Sequence, residues 1–96
     1  MTINNLHINR IFSEGEKMIE DEYKNILKRI FVDNGEYQFE SDNKAQRFIN
    51  KVLSEARLQY EEEHYYYKYD DFKDFLYASE VDGIAYFVFE GEYGEY

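Results

Sequence analysis

The sequence has no cysteine, no proline and no tryptophan. Without cysteine there is neither a disulfide framework nor a thiolate metal site. Without proline, no element is stopped by a locked φ or a missing backbone donor. Phosphate-cradling glycine loops, zinc-finger spacings and the metalloprotease helix motif are all absent. No apolar run is long enough to span a bilayer, and the N-terminus lacks the charged-then-apolar order of a signal peptide, so a soluble, cytoplasmic protein is the expectation. Basic residues are also scarce: Lys and Arg total 11 against 21 Asp and Glu, for a formal net charge of −10. That balance argues against binding to nucleic acid or to anionic membranes.

The 96 residues suit one domain, 1–96, with one modest core. The acidic excess is uneven. Residues 1–59 carry ten acids and nine bases, whereas residues 60–96 carry eleven acids and two bases. Such asymmetry marks an acidic interaction surface or tail. Simple disorder is excluded by composition, because 44% of residues are hydrophobic and 20% aromatic. Tyrosine (11) and phenylalanine (8) supply most of the bulk, and tyrosine suits interfaces because its ring buries while its hydroxyl stays bonded or hydrated.

Residues 1–12 place Ile3, Leu6 and either Arg10 or Ile11 at roughly helical spacing, which predicts a short N-terminal helix. Residues 13–32 read two ways. Ser13 with Glu16 makes a capping box, and Ile19, Tyr23, Ile26, Leu27 and Ile30 follow a helical stripe. Yet "ILKRIFV" also leads as a strand into Asn34-Gly35, a strong two-residue hairpin signal, after which Tyr37 and Phe39 alternate with polar neighbours. Gly35 is equally able to end a helix. Residues 42–60 form the clearest helix: Ser41 or Asp42 caps it, and Ala45, Phe48, Ile49, Val52, Leu53, Ala56 and Tyr60 make one apolar stripe. "DDFKDFLYA" (70–78) predicts a short helix capped by its acids. "GIAYFVFE" (83–90), opened by Asp82-Gly83, is a run of β-formers and predicts a strand, with 90–96 as a frayed acidic tail.

The stretch "YEEEHYYYKYDD" (60–71) holds five carboxylates, five tyrosines and one lysine. Its "EEEH" is a poor metal site, because consecutive residues on a helix point in different directions and a hard-cation loop wants alternating oxygens with a glycine. The two histidines, His7 and His64, have no ligand partners at suitable spacing, and His64 reads as a solvated helix end. Carboxylate pairs suited to acid–base work arise by chance among 21 acids, and no nucleophile or cofactor motif accompanies them, so no catalytic residue, metal or cofactor is assigned. The plain reading of the stretch is a solvated connection. Against it, the tyrosines exceed what a connection needs, and the carboxylates repel one another unless a cationic partner arrives. Acids along a ridge also imitate a phosphate backbone, which would draw a protein that reads DNA through Arg and Lys.

An ordered set of motifs resembles a family. "MTINNL" (1–6), "VDNGEY" (32–37), "ESDN" (40–43) with "RFI" (47–49), and the Tyr-Glu-acid-Glu run at 60–63 follow in the order and rough spacing of small prophage-encoded anti-CRISPR proteins that inhibit type II-A Cas9, over residues 1–77. The resemblance implies an α+β fold, with an antiparallel sheet whose hairpin turns at Asn34-Gly35, packed with two or three helices. It implies inhibition by imitation of the duplex that the arginines of Cas9 read, within a bacterial host and without enzymatic activity. By position, the turn contacting the nuclease lobe would be Asp33, Asn34, Gly35 and Glu36. The mimicking acids would be Glu61, Glu62 and Glu63, with Tyr60 beside them. Tyr65, Asp70 and Asp71 complete the expected partner-binding set. The expected partner is a basic protein, guide-loaded Cas9 or another DNA-binding nuclease. Alternatives are an anti-restriction protein, an immunity protein for a basic toxin nuclease, and, more remotely, a carboxylate-dependent enzyme.

Overall fold

The computed structural model describes residues 19–93. The N-terminal helix expected at 1–12, the capping box at Ser13, His7 and the last three residues lie outside that range. Every element among the described residues is helical: α1 over residues 19–33, α2 Asp42–Glu62, a 3₁₀ turn Tyr65–Tyr67, α3 Phe72–Phe75 and α4 Ser79–Tyr93. The expected α+β fold with an antiparallel sheet is therefore corrected to an all-α arrangement.

The helical stripe wins over the strand reading at α1. Ile26 and Leu27 are buried, and Tyr23 and Ile30 pack against the core. The last turn, Arg29–Asp33, widens into a π-turn. Asn34-Gly35 then ends the helix instead of turning a hairpin. Gly35 takes φ +84° and donates its N–H to the Val32 carbonyl at 3.0 Å, while Tyr37 N–H reaches the Phe31 carbonyl at 3.0 Å. A left-handed residue satisfies the orphan carbonyls of a helix end as readily as it makes a hairpin. The alternation at Tyr37 and Phe39 is real but serves another purpose. Both rings turn inward from a loop: Tyr37 lies 5.2 Å from Phe48 and 4.8 Å from Phe89, and Phe39 lies 5.0 Å from Phe48.

α2 is the central element. Ser41 caps it by accepting the Lys44 N–H at 3.3 Å, and its stripe from Ala45 to Ala56 is buried as the spacing predicts. The strand expected at 83–90 is the body of α4. Val81, Ala85 and Val88, at i, i+4 and i+7, are buried, and helical register alone puts these small side chains on one face. The helix runs on to Tyr93. Near that end Glu92 pairs with Lys51, and the Tyr93 hydroxyl donates to the Lys44 carbonyl at 3.4 Å. The N-terminal half of α2 thus faces the C-terminal end of α4, and the two run antiparallel. α1 is also antiparallel to α2, since Glu20 pairs with Arg57 while Phe31 and Tyr37 sit against Phe48. α3 and the 3₁₀ turn close the end where α2 finishes. None of the helices among the described residues is long and apolar enough to cross a membrane.

Candidate functional site

The acidic and aromatic stretch begins inside α2 and divides at its end. Tyr60 is half-buried, with its ring 5.3 Å from both Phe72 and Phe75. Glu61 and Glu62 occupy the last turn of α2, and Glu63 is its C-cap, donating its N–H to the Gln59 carbonyl at 2.9 Å. All three carboxylates are exposed. His64 then takes φ 55°, the left-handed conformation that breaks the helix and sends the chain into the 3₁₀ turn.

Beyond this break the tyrosines do different work. Phe75, fully buried, is the hub. Tyr65 stacks on it at 5.1 Å, and Tyr69 meets it edge-on at 5.4 Å. The Tyr69 hydroxyl donates to Glu80 Oε2 at 2.5 Å, and Lys68 Nζ lies 3.6 Å from Glu80 Oε1. This hydrogen bond, helped by the Lys68 charge, holds the Glu80 carboxyl below the usual carboxylate value. It also raises the Tyr69 phenol, and Glu80 raises Lys68. Burial, with Asp71 and Asp74 nearby, pushes up the Tyr60 phenol. Tyr66 and Tyr67 point outward, and Tyr66 Oη lies 2.6 Å from His64 Nδ1. Asp71 caps α3 by accepting the Asp74 N–H at 2.9 Å, while Asp70 is exposed.

The candidate residues thus sort into two kinds. Tyr60, Tyr65 and Asp71 build the domain. Glu61, Glu62, Glu63 and Asp70 are exposed and have no ion-pair partner among the described residues. By contrast Glu20, Glu22, Glu40, Glu80 and Glu92 each meet a Lys or Arg. The placement of the free acids is unfavourable for α2. Glu61, Glu62 and Glu63 crowd the negative end of its macrodipole, and no basic residue occupies the last turn.

Asp33, Asn34, Gly35 and Glu36 are exposed too, with Asn34 Oδ1 accepting the Glu36 N–H at 3.0 Å. They sit at the other end of the molecule, beside the start of α2. At 1.5 Å per helical residue, that places them roughly 30 Å along the α2 axis from Glu63. The structure does not bring the two expected groups together.

It does bring together residues that sequence reasoning missed. One face of α2 carries Glu55, Leu58, Gln59, Glu62 and Glu63, and one face of α4 carries Glu80, Gly83, Ile84 and Phe87. The two faces line a groove of about 420 Å³, with no Lys or Arg among the described residues in its walls. Leu58 is 51% exposed and Phe87 74% exposed, and the two line the same groove. The one sequence signal for Leu58 was its position off the apolar stripe of α2. Among the described residues no cluster of three or more His, Asp or Glu is arranged to hold a metal ion. No family model matches this chain, and neither a curated protein nor a solved structure matches it.

Proposed function

We propose that this protein is an acidic binding module that occupies the DNA-reading surface of a basic nuclease, acting by electrostatic and steric competition without chemistry of its own. The observation that supports this reading is the set Glu61, Glu62 and Glu63, exposed and without an ion-pair partner among the described residues, at the end of α2 where negative charge opposes the helix dipole. A charge arrangement that weakens its own helix finds compensation in a cationic partner. Arg and Lys side chains placed for phosphates meet carboxylates by the same charge-assisted hydrogen bonds. The resemblance over residues 1–77 makes guide-loaded type II-A Cas9 the first target to assay.

The assay is DNA cleavage by guide-loaded Cas9 with and without the protein, repeated with the target duplex bound beforehand. The expected result is inhibition that is lost when DNA occupies the site first, and that weakens in a Glu61→Gln, Glu62→Gln, Glu63→Gln variant. Inhibition of a restriction enzyme or a toxin nuclease instead, with several type II-A enzymes untouched, would move the target while keeping the mode. Inhibition indifferent to the three glutamates would refute the mode itself.

A further inference from the structure

The groove between α2 and α4 has a feature that the acidic module alone does not explain. Gly83 sits within α4, where glycine weakens a helix relative to alanine. Among the described residues nothing requires it. Its φ is not positive, and a Cβ built there meets no atom within 4 Å. What the missing side chain leaves is open space in the groove, between Phe87 one turn along α4 and the α2 wall. Around that space stand an exposed Leu58, a half-buried Ile84 and an exposed Phe87, and the rim above them is acidic at Glu55, Glu62 and Glu63. Glu80, also in the wall, is already engaged by Tyr69 and Lys68.

We infer that this groove is a docking site for a cationic amphipathic helix of a partner protein. Its apolar face would lie on Leu58, Ile84 and Phe87, its backbone would approach over Gly83, and its Lys or Arg side chains would meet Glu55, Glu62 and Glu63. The occupant follows from charge and shape together. A second copy of this chain would bring the same acidic rim and a net charge of −10 against itself. An anionic membrane or nucleic acid is repelled for the same reason. A helix laid between two antiparallel helices matches the groove direction, and apolar anchors at i, i+3/i+4 and i+7 suit its apolar floor. The inference rests on the reading that the partner is basic, and adds which element of the partner is held and by what.

The test uses a synthetic Leu/Lys peptide patterned to place its leucines on one helical face, beside a scrambled peptide of identical composition. The patterned peptide is expected to bind and to shift the NMR signals of Leu58, Ile84 and Phe87, with the scrambled peptide weaker by about tenfold or more. Gly83→Leu fills the groove while favouring the helix. It should keep or raise the melting temperature and weaken the patterned peptide by about tenfold. Phe87→Ala should weaken it similarly with the fold retained. Equal binding of the two peptides, shifts confined to the Glu61 and Asp70 end, undiminished binding by Gly83→Leu, or no binding of the patterned peptide would overturn the proposal. A nuclease that binds with no dependence on Gly83 or Phe87 overturns the groove and leaves the acidic module standing. Groove binding by the patterned peptide with no nuclease bound supports the groove and removes the nuclease as target.

Discussion

Tyr69 and Glu80 show how one polar contact ties the acidic stretch to the helix that follows it. The phenol donates to the carboxylate at 2.5 Å while its ring packs on buried Phe75, so one side chain anchors the loop to α3 by its ring and to α4 by its hydroxyl. Because the Glu80 pKa is lowered in the folded protein, its contribution is full above the usual carboxylate value and is lost as pH falls through the lowered value. The raised Tyr69 works in the opposite direction: its contribution is full below the usual phenol value and is lost as pH rises through the raised one. Tyr69→Phe keeps the ring and deletes the donor. In that variant the Glu80 titration, followed by carboxyl-carbon NMR, should move up towards the usual carboxylate value. The decline of stability just below that value, measured by urea unfolding across pH, should become shallower. An unmoved Glu80 midpoint would assign the shift to Lys68 instead.

α4 is the element on which local pattern misleads. Apolar residues fill every position from Ile84 to Phe89, so neither a period of two nor one of 3.6 emerges, and β-branched and aromatic residues tilt the balance towards a strand. Packing decides otherwise: Val81, Ala85 and Val88 are the small side chains that let α4 lie close against α2. Gly83→Ala tests this reading. Alanine at an unobstructed helical position should stabilise the protein by about 0.5–1 kcal/mol in urea unfolding, with a far-UV spectrum that stays helical. A loss of stability, or a spectrum that shifts towards strand, would refute the helical reading of this segment. The same contrast explains how much of the molecule was legible. α2 carried a cap and a seven-residue stripe, two signals in agreement, and it appears where expected. Asn34-Gly35 carried one signal with two meanings, and the buried stripe of α1 settles which applies. Glu61, Glu62 and Glu63 were legible from charge alone. The groove bordered by Glu62 and Glu63 was not, because Leu58 and Phe87 are 29 positions apart in the sequence and meet only through the antiparallel pairing of α2 and α4.

At the scale of the whole molecule, three acids find cations on neighbouring elements: Glu20 with Arg57, Glu22 with Lys73 and Glu92 with Lys51 join helices distant in sequence. Each such exposed pair contributes about 0–1 kcal/mol, so their effect is to balance charge more than to hold the fold. Among the described residues Glu61, Glu62 and Glu63 find no such cation, and the two lysines of the last third are already taken by Glu80 and Glu22. Two penalties fall on these three glutamates. Like charges within one turn repel, and carboxylates at a helix C-terminus oppose its dipole, on the order of 0.3–1 kcal/mol per charge at low ionic strength. Both shrink as salt rises, since the screening length falls from about 30 Å at 0.01 M to about 8 Å at physiological strength. Replacing Glu61, Glu62 and Glu63 together by Gln removes three charges and keeps the side-chain shape. The variant should therefore melt higher than the parent in dilute buffer and converge with it in concentrated salt. Its association with a basic partner should slow, with the salt dependence of the on-rate flattened and the off-rate changed less. Thermal melts over a salt series and stopped-flow association at the same salts measure the two sides of one trade. A variant that is more stable but slower to bind is the outcome that charge held for a partner demands. A variant that melts lower in dilute buffer would show instead that these glutamates stabilise the fold.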